Sequence, residues 1–262
     1  MTNSMAREGS TWGASARDWA EVQEPTLKPL FEVVLERTGI GPGSAVLDVA
    51  CGTGLFCVLA AARGATVAGL DASPGQLAVA RERLPAGDFR EGDMGALPFA
   101  TATFDLVTCC NALQYAADPV QTLREMRRVA RPGAPVGILT SSRAGGQGGF
   151  SFFSALRAFL PPPPPDAPPK TIFSDPDALD RFLGEAGLTI DTDEDLQCDW
   201  EYPDLDTALR GVLSFAPGVR AIRAAGAEPV RAAVGAAISP YRRADGSYRL
   251  PCRMRYVLAR GT

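Results

Sequence analysis

The sequence predicts an α/β fold built on a parallel sheet. Two observations carry this prediction. Short apolar runs alternate with helical patterns between residues 44 and 140, which is typical of successive βαβ units. Apolar residues make up 46% of the 262 residues and charged residues 21%, which is typical of a globular protein with a sizeable core.

The first half of the chain contains five candidate strands. We predict them at residues 45–50, 66–70, 88–91, 104–109 and 136–140. A nearly all-apolar helix is predicted over 54–62. Ser73 and Pro74 together form an N-cap and a first helical position, with Gln76 as the capping-box partner. Asp118 is predicted to cap the next helix, which ends before Pro132 and Gly133.

The pattern changes after residue 140. A glycine-rich link over 143–149 precedes a short apolar helical stripe over 152–160, and a proline run at 161–165 ends that stripe. Another helix is predicted to begin at Asp175 and Pro176 and to end at Gly187. Two further strands are expected at 188–196 and 254–258, and residues 200–241 are predicted to be helical.

Composition excludes several functions. The net charge of −4 makes nucleic acid an unfavourable partner. The chain has no histidine, which excludes Ser-His-Asp triads, Cys-His dyads and histidine metal ligands. Its six cysteines contain no C-x-x-C pair, so we expect no metal site and interpret the thiols as small buried hydrophobic groups.

The N-terminal residues 1–20 lack the basic and then apolar layout of a secretion signal. No apolar run reaches the about 18 residues of a membrane span. We therefore expect a cytoplasmic protein without a membrane segment, present as a monomer or homodimer.

Charge is segregated in the second half. Residues 175–206 contain twelve acidic residues and one arginine, whereas residues 210–262 contain ten arginines and two acidic residues. The simpler interpretation places the two segments side by side on the sheet, facing solvent. A patch that binds an anionic ligand is the alternative.

The strongest functional signal is the segment 46–54, VLDVACGTG. A strand ends in an acidic residue and a glycine-rich turn, and a helix follows. Gly52 and Gly54 allow the backbone to approach a ligand closely. The free N–H groups at the start of the helix favour an anion.

Two nucleotide cofactors compete for this turn. A dinucleotide fingerprint requires a third glycine where Cys57 stands. The Asp48 carboxylate would repel a pyrophosphate, but it suits a ligand that carries an ammonium and a sulfonium group. S-adenosylmethionine is such a ligand and has no phosphate.

Other acidic positions agree with this choice. Asp71 ends the second strand, where an acid accepts hydrogen bonds from both ribose hydroxyls. Asp93 follows the third strand and can accept from the adenine amino group, and Met94 can cover the ring. Asn111 follows the fourth strand, at the edge of the sheet where ligands bind in open α/β folds.

These segments resemble the class I S-adenosylmethionine-dependent methyltransferases, in the group related to ubiquinone and menaquinone biosynthesis. The similarity extends over VLDVACGTG, VAGLDAS, GDMGALPF, FDLVTCCNALQYAADP and LREMRRVARPGAPV. It implies a Rossmann-like, doubly wound and mostly parallel seven-stranded sheet with an antiparallel last strand and a helical cap. It also implies cofactor contacts at Asp48, Ala50, Gly52, Gly54, Asp71, Ala72, Gln76, Asp93, Met94 and Asn111.

We predict three parts of the chain: an N-terminal helical cover over residues 1–43, a cofactor core over 44–140, and a substrate cap with the last strands of the same domain over 141–262. The N-terminal twenty residues and residues 141–173 are expected to form a movable cover over the acceptor pocket, hinged at 145–149. Many relatives carry a histidine pair after the fourth strand, where this chain has Gln114 and Tyr115.

The predicted reaction is transfer of a methyl group to a small, apolar or aromatic molecule by in-line displacement. Tyr115 is the predicted base, with Glu201 and Tyr202 as alternatives. Aromatic residues outside the core are predicted to bind the acceptor: Trp19, Phe153, Trp200 and Tyr202. A non-methylating biosynthetic step on the same fold, or a non-catalytic binding subunit, stays open as an alternative.

Overall fold

The computed structural model describes residues 9–142, 151–162, 175 and 177–261. Nine strands are present in these ranges: β1 Ala45–Val49, β2 Thr66–Asp71, β3 Asp88–Glu91, β4 Leu106–Cys110, β5 Pro135–Ser141, β6 Leu188–Gln197, β7 Trp200–Tyr202, β8 Tyr248–Leu250 and β9 Arg253–Gly261. Seven of them form one sheet in the order β3-β2-β1-β4-β5-β9-β6.

Strand directions confirm the predicted fold class. The five strands β1 to β5 are parallel, whereas β9 is antiparallel to both of its neighbours, β5 and β6. The last strand of the sequence thus lies inside the sheet rather than at its edge.

The described helices of eight or more residues, together with a shorter helix, α5, have these bounds: α1 Lys28–Thr38, α2 Leu55–Ala62, α3 Pro74–Arg83, α4 Pro119–Val129, α5 Ser151–Arg157, α6 Ala178–Glu185, α7 Leu205–Leu213, α8 Ala216–Ala225 and α9 Ala227–Ile238. Helices α1, α2 and α3 pack on one face of the sheet, and α4 and α6 on the other. Successive residues of β1 point to opposite faces of the sheet. Val46 belongs to the hydrophobic core on the face covered by α1, α2 and α3, and Leu47 to the core on the face covered by α4 and α6.

The helix starts predicted at Ser73 and Asp118 are confirmed, whereas the helix predicted to begin at Asp175 begins at Ala178. The capping-box role of Gln76 is wrong, because the Ser73 N–H donates to Asp71 and the Gln76 side chain is directed elsewhere. The Ser73 side chain accepts a hydrogen bond from the Gln76 backbone N–H at 3.3 Å. The Asp118 carboxylate accepts one from the Gln121 backbone N–H at 2.9 Å. In each case a proline at the first helical position favours the start.

The prediction of a helix beginning at residue 200 is wrong for its first residues. Trp200 and Tyr202 are buried and Glu201 is exposed, which is the two-residue alternation of a strand. This strand, β7, pairs antiparallel with β8 in a separate two-stranded sheet. The rest of the predicted helical region forms α7, α8 and α9.

Some predicted features lie outside the described residues. They are the glycine-rich link over 143–149, with the hinge at 145–149, and the proline run beyond residue 162. The apolar stripe at 152–160 is described and forms α5, with Phe152 and Leu156 fully buried.

Residues 9–27, called the N-terminal segment below, are helical throughout most of their length and include a π-helical turn at Trp19–Gln23. The segment crosses the start of α3 at very close range. A Cβ atom added to Gly9 would clash with the Ala72 carbonyl oxygen. A Cβ on Gly75 would lie 2.9 Å from the Gly13 Cα. Only glycine permits this approach.

The acidic and basic segments lie side by side, as the simpler interpretation predicts. Strands β6 and β9 pair along their length, and Arg260 contacts Asp191 at 3.2 Å. Arg255 departs from the expected solvent exposure, since its side chain is 2% exposed and binds both Asp180 and Asp193.

Within the part of the chain that the structure describes, no helix combines the length and the apolar character that crossing a membrane requires.

Candidate functional site

One cavity lies at the carboxyl ends of β1, β2 and β4, beneath the N-terminal segment. It encloses about 930 Å³ including its open mouth. Eight of the ten predicted cofactor residues line it: Ala50, Gly52, Asp71, Ala72, Gln76, Asp93, Met94 and Asn111.

The turn after β1 forms the floor of the cavity. Ala50 and Gly52 both have left-handed backbone conformations, with φ of 59° and 54°. A Cβ on Gly52 would lie 3.7 Å from Gln76 Oε1 and 3.8 Å from Trp19 Nε1. The missing side chain therefore leaves space between polar atoms from two other elements.

Gly54 does not line the cavity. A Cβ there would lie 3.0 Å from Ala80 Cβ, so this glycine allows α2 and α3 to pack closely. Its φ of 82° also starts the helix that follows.

Asp71 is fixed by the backbone on both sides of the cavity floor. Its Oδ2 accepts from the Gly52 N–H at 2.9 Å, and its Oδ1 accepts from the Ser73 N–H at 2.8 Å. Burial raises the pKa of Asp71 to about 6, although these hydrogen bonds lower it. Each oxygen retains a second lone pair that can accept from a ligand.

Asp48 lies behind the cavity wall rather than in it. The side chain is buried and accepts a hydrogen bond from Thr108 Oγ1 at 2.8 Å. Burial raises its pKa to about 7, and the neighbouring carboxylates of Glu24 and Asp71 add to this shift. The Asp48 carboxylate would therefore act on a ligand in the cavity only across the turn after β1, without direct contact.

The segment after β3 forms the side of the cavity next to β2. Gly92 N–H donates to the Asp71 carbonyl at 3.0 Å, which joins this segment to the end of β2. Asp93 and Met94 follow, and Asp93 Oδ1 accepts from the Gly95 N–H at 2.8 Å. An acidic and an apolar side chain therefore stand together beside Asp71.

After β4, Asn111 adopts a left-handed conformation with φ of 54°. Its carbonyl accepts from Gln114 Nε2 at 2.8 Å, which closes a short turn. This turn presents Tyr115 to the cavity. Ala50 and Asn111 are two non-glycine residues with positive φ that line one cavity, and such backbone strain is often found at functional sites.

Aromatic rings from the N-terminal segment and from the turn after β4 line another part of the cavity. Trp12 meets Trp19 edge to face with centroids 5.2 Å apart, and Tyr115 with centroids 5.7 Å apart. Phe215 packs behind them, 5.1 Å from Trp19. We call Trp12, Trp19 and Tyr115 the aromatic wall.

Three predicted acceptor residues lie away from this cavity. Trp200 is 1% exposed and stacks on Phe215 in the core. The Tyr202 hydroxyl is buried and donates to Gln23 Oε1 at 2.7 Å. Phe153 packs against Phe152 and Phe215, and it does not line the cavity either.

A buried ion pair supports the N-terminal segment and was not predicted from the sequence. Glu24 is 3% exposed, binds Arg83 of α3, and accepts from Thr53 Oγ1 at 2.6 Å. Arg83 also donates to the Ala20 carbonyl at 2.6 Å. Burial raises the pKa of Glu24. The contact joins residues 59 positions apart, which no local pattern could indicate.

Several cavity residues were also missed, and they are small: Gly9, Gly92, Ala112, Ala116 and Ala117. These small residues leave open volume in the cavity, and no pattern in the sequence indicates which small residues do so. The spacing of Gly9 and Gly13, four residues apart, is the one hint that this segment approaches another backbone closely.

Metal binding finds no support in the described ranges. Across residues 9–142, 151–162 and 175–261 except 176, no three His, Cys, Asp or Glu residues are placed to hold a metal ion.

Comparison with known proteins agrees with the geometry. Residues 47–138 match the family described as methyltransferase domain. An uncharacterised protein of Mycobacterium tuberculosis is 32% identical over 195 residues, which are 70% of each chain. A demethylmenaquinone methyltransferase of Renibacterium salmoninarum is 45% identical over 101 residues, which cover 38% of this chain and 43% of that one.

Among solved structures, the 4+2 cyclase SpnF shares the fold with a TM-score of 0.56 and 21% identity, covering 89% of this chain and 80% of its own. The fold, the glycine-rich turn followed by Asp71, and the methyltransferase relatives lead to one assignment. This chain belongs to the class I S-adenosylmethionine-dependent methyltransferases.

Proposed function

We propose that this enzyme transfers the methyl group of S-adenosylmethionine to a small, uncharged molecule of apolar or aromatic character. The observation that carries the proposal is that the cavity has two dissimilar sides. Asp71, Asp93 and Asn111 lie at the strand ends, and the aromatic wall is formed by Trp12 and Trp19 of the N-terminal segment together with Tyr115. A polar cofactor and an apolar acceptor would each find a matching surface there.

The strand-end side fits the cofactor. Asp71 would accept hydrogen bonds from the sugar hydroxyls, because backbone N–H groups already hold its carboxylate in place. Asp93 would accept from the adenine amino group, and Met94 would cover the ring. The cofactor supplies a methyl group that is activated by the positive charge on its sulfur.

Charge in the cavity favours a cationic ligand over an anionic one. Asp71 and Asp93 line the cavity, and Asp48 lies behind it. Among the described residues that line it, none is arginine or lysine. An acceptor with a carboxylate or phosphate near the reacting atom would lack a cationic partner there, and its burial would be costly.

Alignment, rather than proton transfer, would provide most of the rate. The chain has no histidine. Neither alternative base lines the cavity. Tyr202 is buried elsewhere, which raises the pKa of its hydroxyl, and Glu201 is exposed and contacts Arg243. Burial likewise raises the pKa of the Cys110 thiol, which stays protonated. Tyr115 is the phenol that lines the cavity, and we assign its ring to positioning the acceptor.

The division into an N-terminal cover, a cofactor core and a cap belongs to the same proposal. Trp12 and Trp19 come from residues before the core, and Phe215 behind them comes from the region after it. In this view the acceptor pocket is completed only when both flanking regions are packed on the core.

Calorimetry with S-adenosylhomocysteine, the demethylated product, tests the cofactor assignment. We expect a dissociation constant in the micromolar range, about −8 kcal/mol. Absence of binding by a protein with a normal circular dichroism spectrum and melting transition would contradict the proposal.

A panel of phenols, amines and polyketide-like compounds tests the acceptor class, with S-adenosylhomocysteine formation as the measurement. We expect turnover with uncharged members and none with their carboxylated analogues. Cofactor binding together with conversion of a compound without S-adenosylhomocysteine formation would favour the non-methylating alternative, a possibility to which the shared fold of the 4+2 cyclase SpnF draws attention.

A further inference from the structure

Gln76 occupies a position between the cofactor side of the cavity and the N-terminal segment. It lies in the first turn of α3, its side chain is 2% exposed, and it lines the cavity. Its Nε2 donates to the Trp12 carbonyl oxygen at 3.1 Å. The other end of the same amide, Oε1, is buried and has no hydrogen-bond partner among the described residues.

The unpartnered oxygen is directed at the cavity floor. It lies 3.7 Å from the point where a Cβ of Gly52 would be, and Trp19 Nε1 lies 3.8 Å from the same point. A buried carbonyl oxygen without a donor is unfavourable, so it favours a ligand that brings one. In the expected cofactor, the sugar hydroxyls and the ammonium group are such donors.

We propose that Gln76 is a positioning residue that couples occupancy of the cofactor site to the placement of Trp12 in the aromatic wall. The inference rests on the proposed function, since the cofactor is the donor that Oε1 lacks. A donor on Oε1 fixes the plane of the amide, and the amide plane directs Nε2 at the Trp12 carbonyl. The N-terminal segment is then held most firmly when the cofactor is present.

Trp12 gives this coupling a consequence for the acceptor. Its ring contacts both Trp19 and Tyr115, so a shift of Trp12 changes the surface that the acceptor meets. Ordered binding follows, with the cofactor first and the acceptor second, because the acceptor's wall is complete only after the cofactor has bound.

Hydrogen exchange of the full chain, with and without saturating S-adenosylhomocysteine, tests the coupling. In the unmodified protein we expect exchange at residues 9–13 to slow at least about fivefold on binding. Gln76→Met keeps the length of the side chain and removes both polar atoms. In this variant we expect affinity to fall about tenfold, and ligand at saturation to leave exchange at residues 9–13 unchanged.

Gln121→Met is the matched control. Gln121 occupies the same position in α4, after a capped start, and its Nε2 donates to the Gly95 carbonyl at 3.3 Å outside the cavity. This variant should retain the full ligand-dependent slowing at residues 9–13.

Adenosine, which has the sugar hydroxyls without the ammonium group, identifies the donor. If adenosine slows exchange at residues 9–13, the donor is a hydroxyl. If only S-adenosylhomocysteine slows it, the donor is the ammonium group.

The possible failures are distinguishable. If S-adenosylhomocysteine does not bind the unmodified protein, the cofactor proposal fails and the coupling fails with it. If it binds and still slows exchange at residues 9–13 in Gln76→Met, the coupling is wrong and the cofactor proposal stands. A purely structural role for Gln76 would speed exchange in the free variant and leave the ratio of free to bound rates unchanged. Gln76→Leu replaces Gln76→Met if the latter does not fold.

Discussion

The two sides of the cavity are held in place by different kinds of contact. At the strand ends, Asp71 and Asn111 are fixed by backbone groups within or next to the sheet. The aromatic wall depends on contacts between distant parts of the chain. Ser15 Oγ donates to the Ser214 carbonyl at 2.7 Å, and Arg210 contacts Asp18 at 2.8 Å.

The difference separates cofactor recognition from acceptor recognition. The strand-end side is built on a parallel sheet whose position is fixed by many ladder hydrogen bonds. The N-terminal side is built on a segment held by close glycine contacts, partly exposed ion pairs and the Gln76 amide. Substitutions on the first side should change cofactor affinity, whereas those on the second should change mainly the acceptor.

The largest expected effect is on the strand-end side. Asp71→Ala removes the acceptor for two hydroxyls and should weaken S-adenosylhomocysteine by about 1–3 kcal/mol, measured by calorimetry. Asp118→Ala is the control, since Asp118 also accepts from a backbone N–H at a helix start but lies outside the cavity. It should lower stability by about 1 kcal/mol and leave affinity unchanged. Unchanged affinity with a collapsed melting temperature in Asp71→Ala would make Asp71 a structural cap only.

The second effect is on pH dependence. Burial raises the pKa of Asp48 to about 7 and of Asp71 to about 6, so both carboxyls take up protons as the pH falls through this range. A cationic ligand favours their ionised forms, and its binding therefore releases protons. The affinity for S-adenosylmethionine should fall about tenfold between pH 8 and pH 5.5. S-adenosylhomocysteine lacks the sulfonium charge and should lose less.

Calorimetry in two buffers with different heats of ionisation measures the released protons directly. The same shifts act oppositely on folding of the free protein. Because the folded pKa values lie above the unfolded ones, ionisation of these two carboxyls opposes folding, and their contribution to stability falls as the pH rises from the ordinary pKa of 3.8 to about 7. An affinity for S-adenosylmethionine that is independent of pH would show that neither carboxyl interacts with the cofactor.

A smaller effect is expected in the aromatic wall. Tyr115→Phe keeps the ring and its contact with Trp12 and removes the hydroxyl. The rate of methyl transfer should fall by less than about tenfold, with cofactor affinity unchanged. Tyr202→Phe removes a buried hydroxyl away from the cavity and should lower stability without changing the acceptor KM. A loss beyond about a hundredfold in Tyr115→Phe would reveal a dedicated base.

The smallest effect is expected for Glu201→Gln. Glu201 is exposed, lies in β7 and contacts Arg243 at 3.0 Å. Rate and cofactor affinity should stay within about twofold of the unmodified enzyme, since an exposed ion pair contributes little. A larger loss of rate would place a catalytic group outside the described cavity.

The strands and their caps could be predicted because their signals are local. Apolar runs, Ser73 and Asp118 each act within a few residues, and the structure confirms them. Most of the predicted cofactor residues line the cavity for the same reason, since they follow strand ends directly. Asp48 and Gly54 belong to the same motif, but they support the turn from behind instead of lining the cavity.

The acceptor side could not be predicted in the same way. Trp19 and Trp200 look equivalent in the sequence as apolar aromatic residues, yet one lines the cavity and the other is enclosed in the core. What separates them is which distant element packs against each. That information lies in tertiary contacts such as those of Arg83 with Glu24, which no spacing encodes.

The position of β9 within the sheet has a consequence for how the chain folds during synthesis. Leu139 of β5 and Glu194 of β6 both pair with Tyr256. Until residues far down the sequence have been made, β5 therefore pairs only with β4, and β6 lacks its neighbour in the sheet. Until then two strand edges are open, and open edges are where chains pair with one another. A nascent or prematurely terminated chain that lacks β9 would therefore aggregate or be degraded, and translation errors in this region would be costlier than their distance from the cavity suggests.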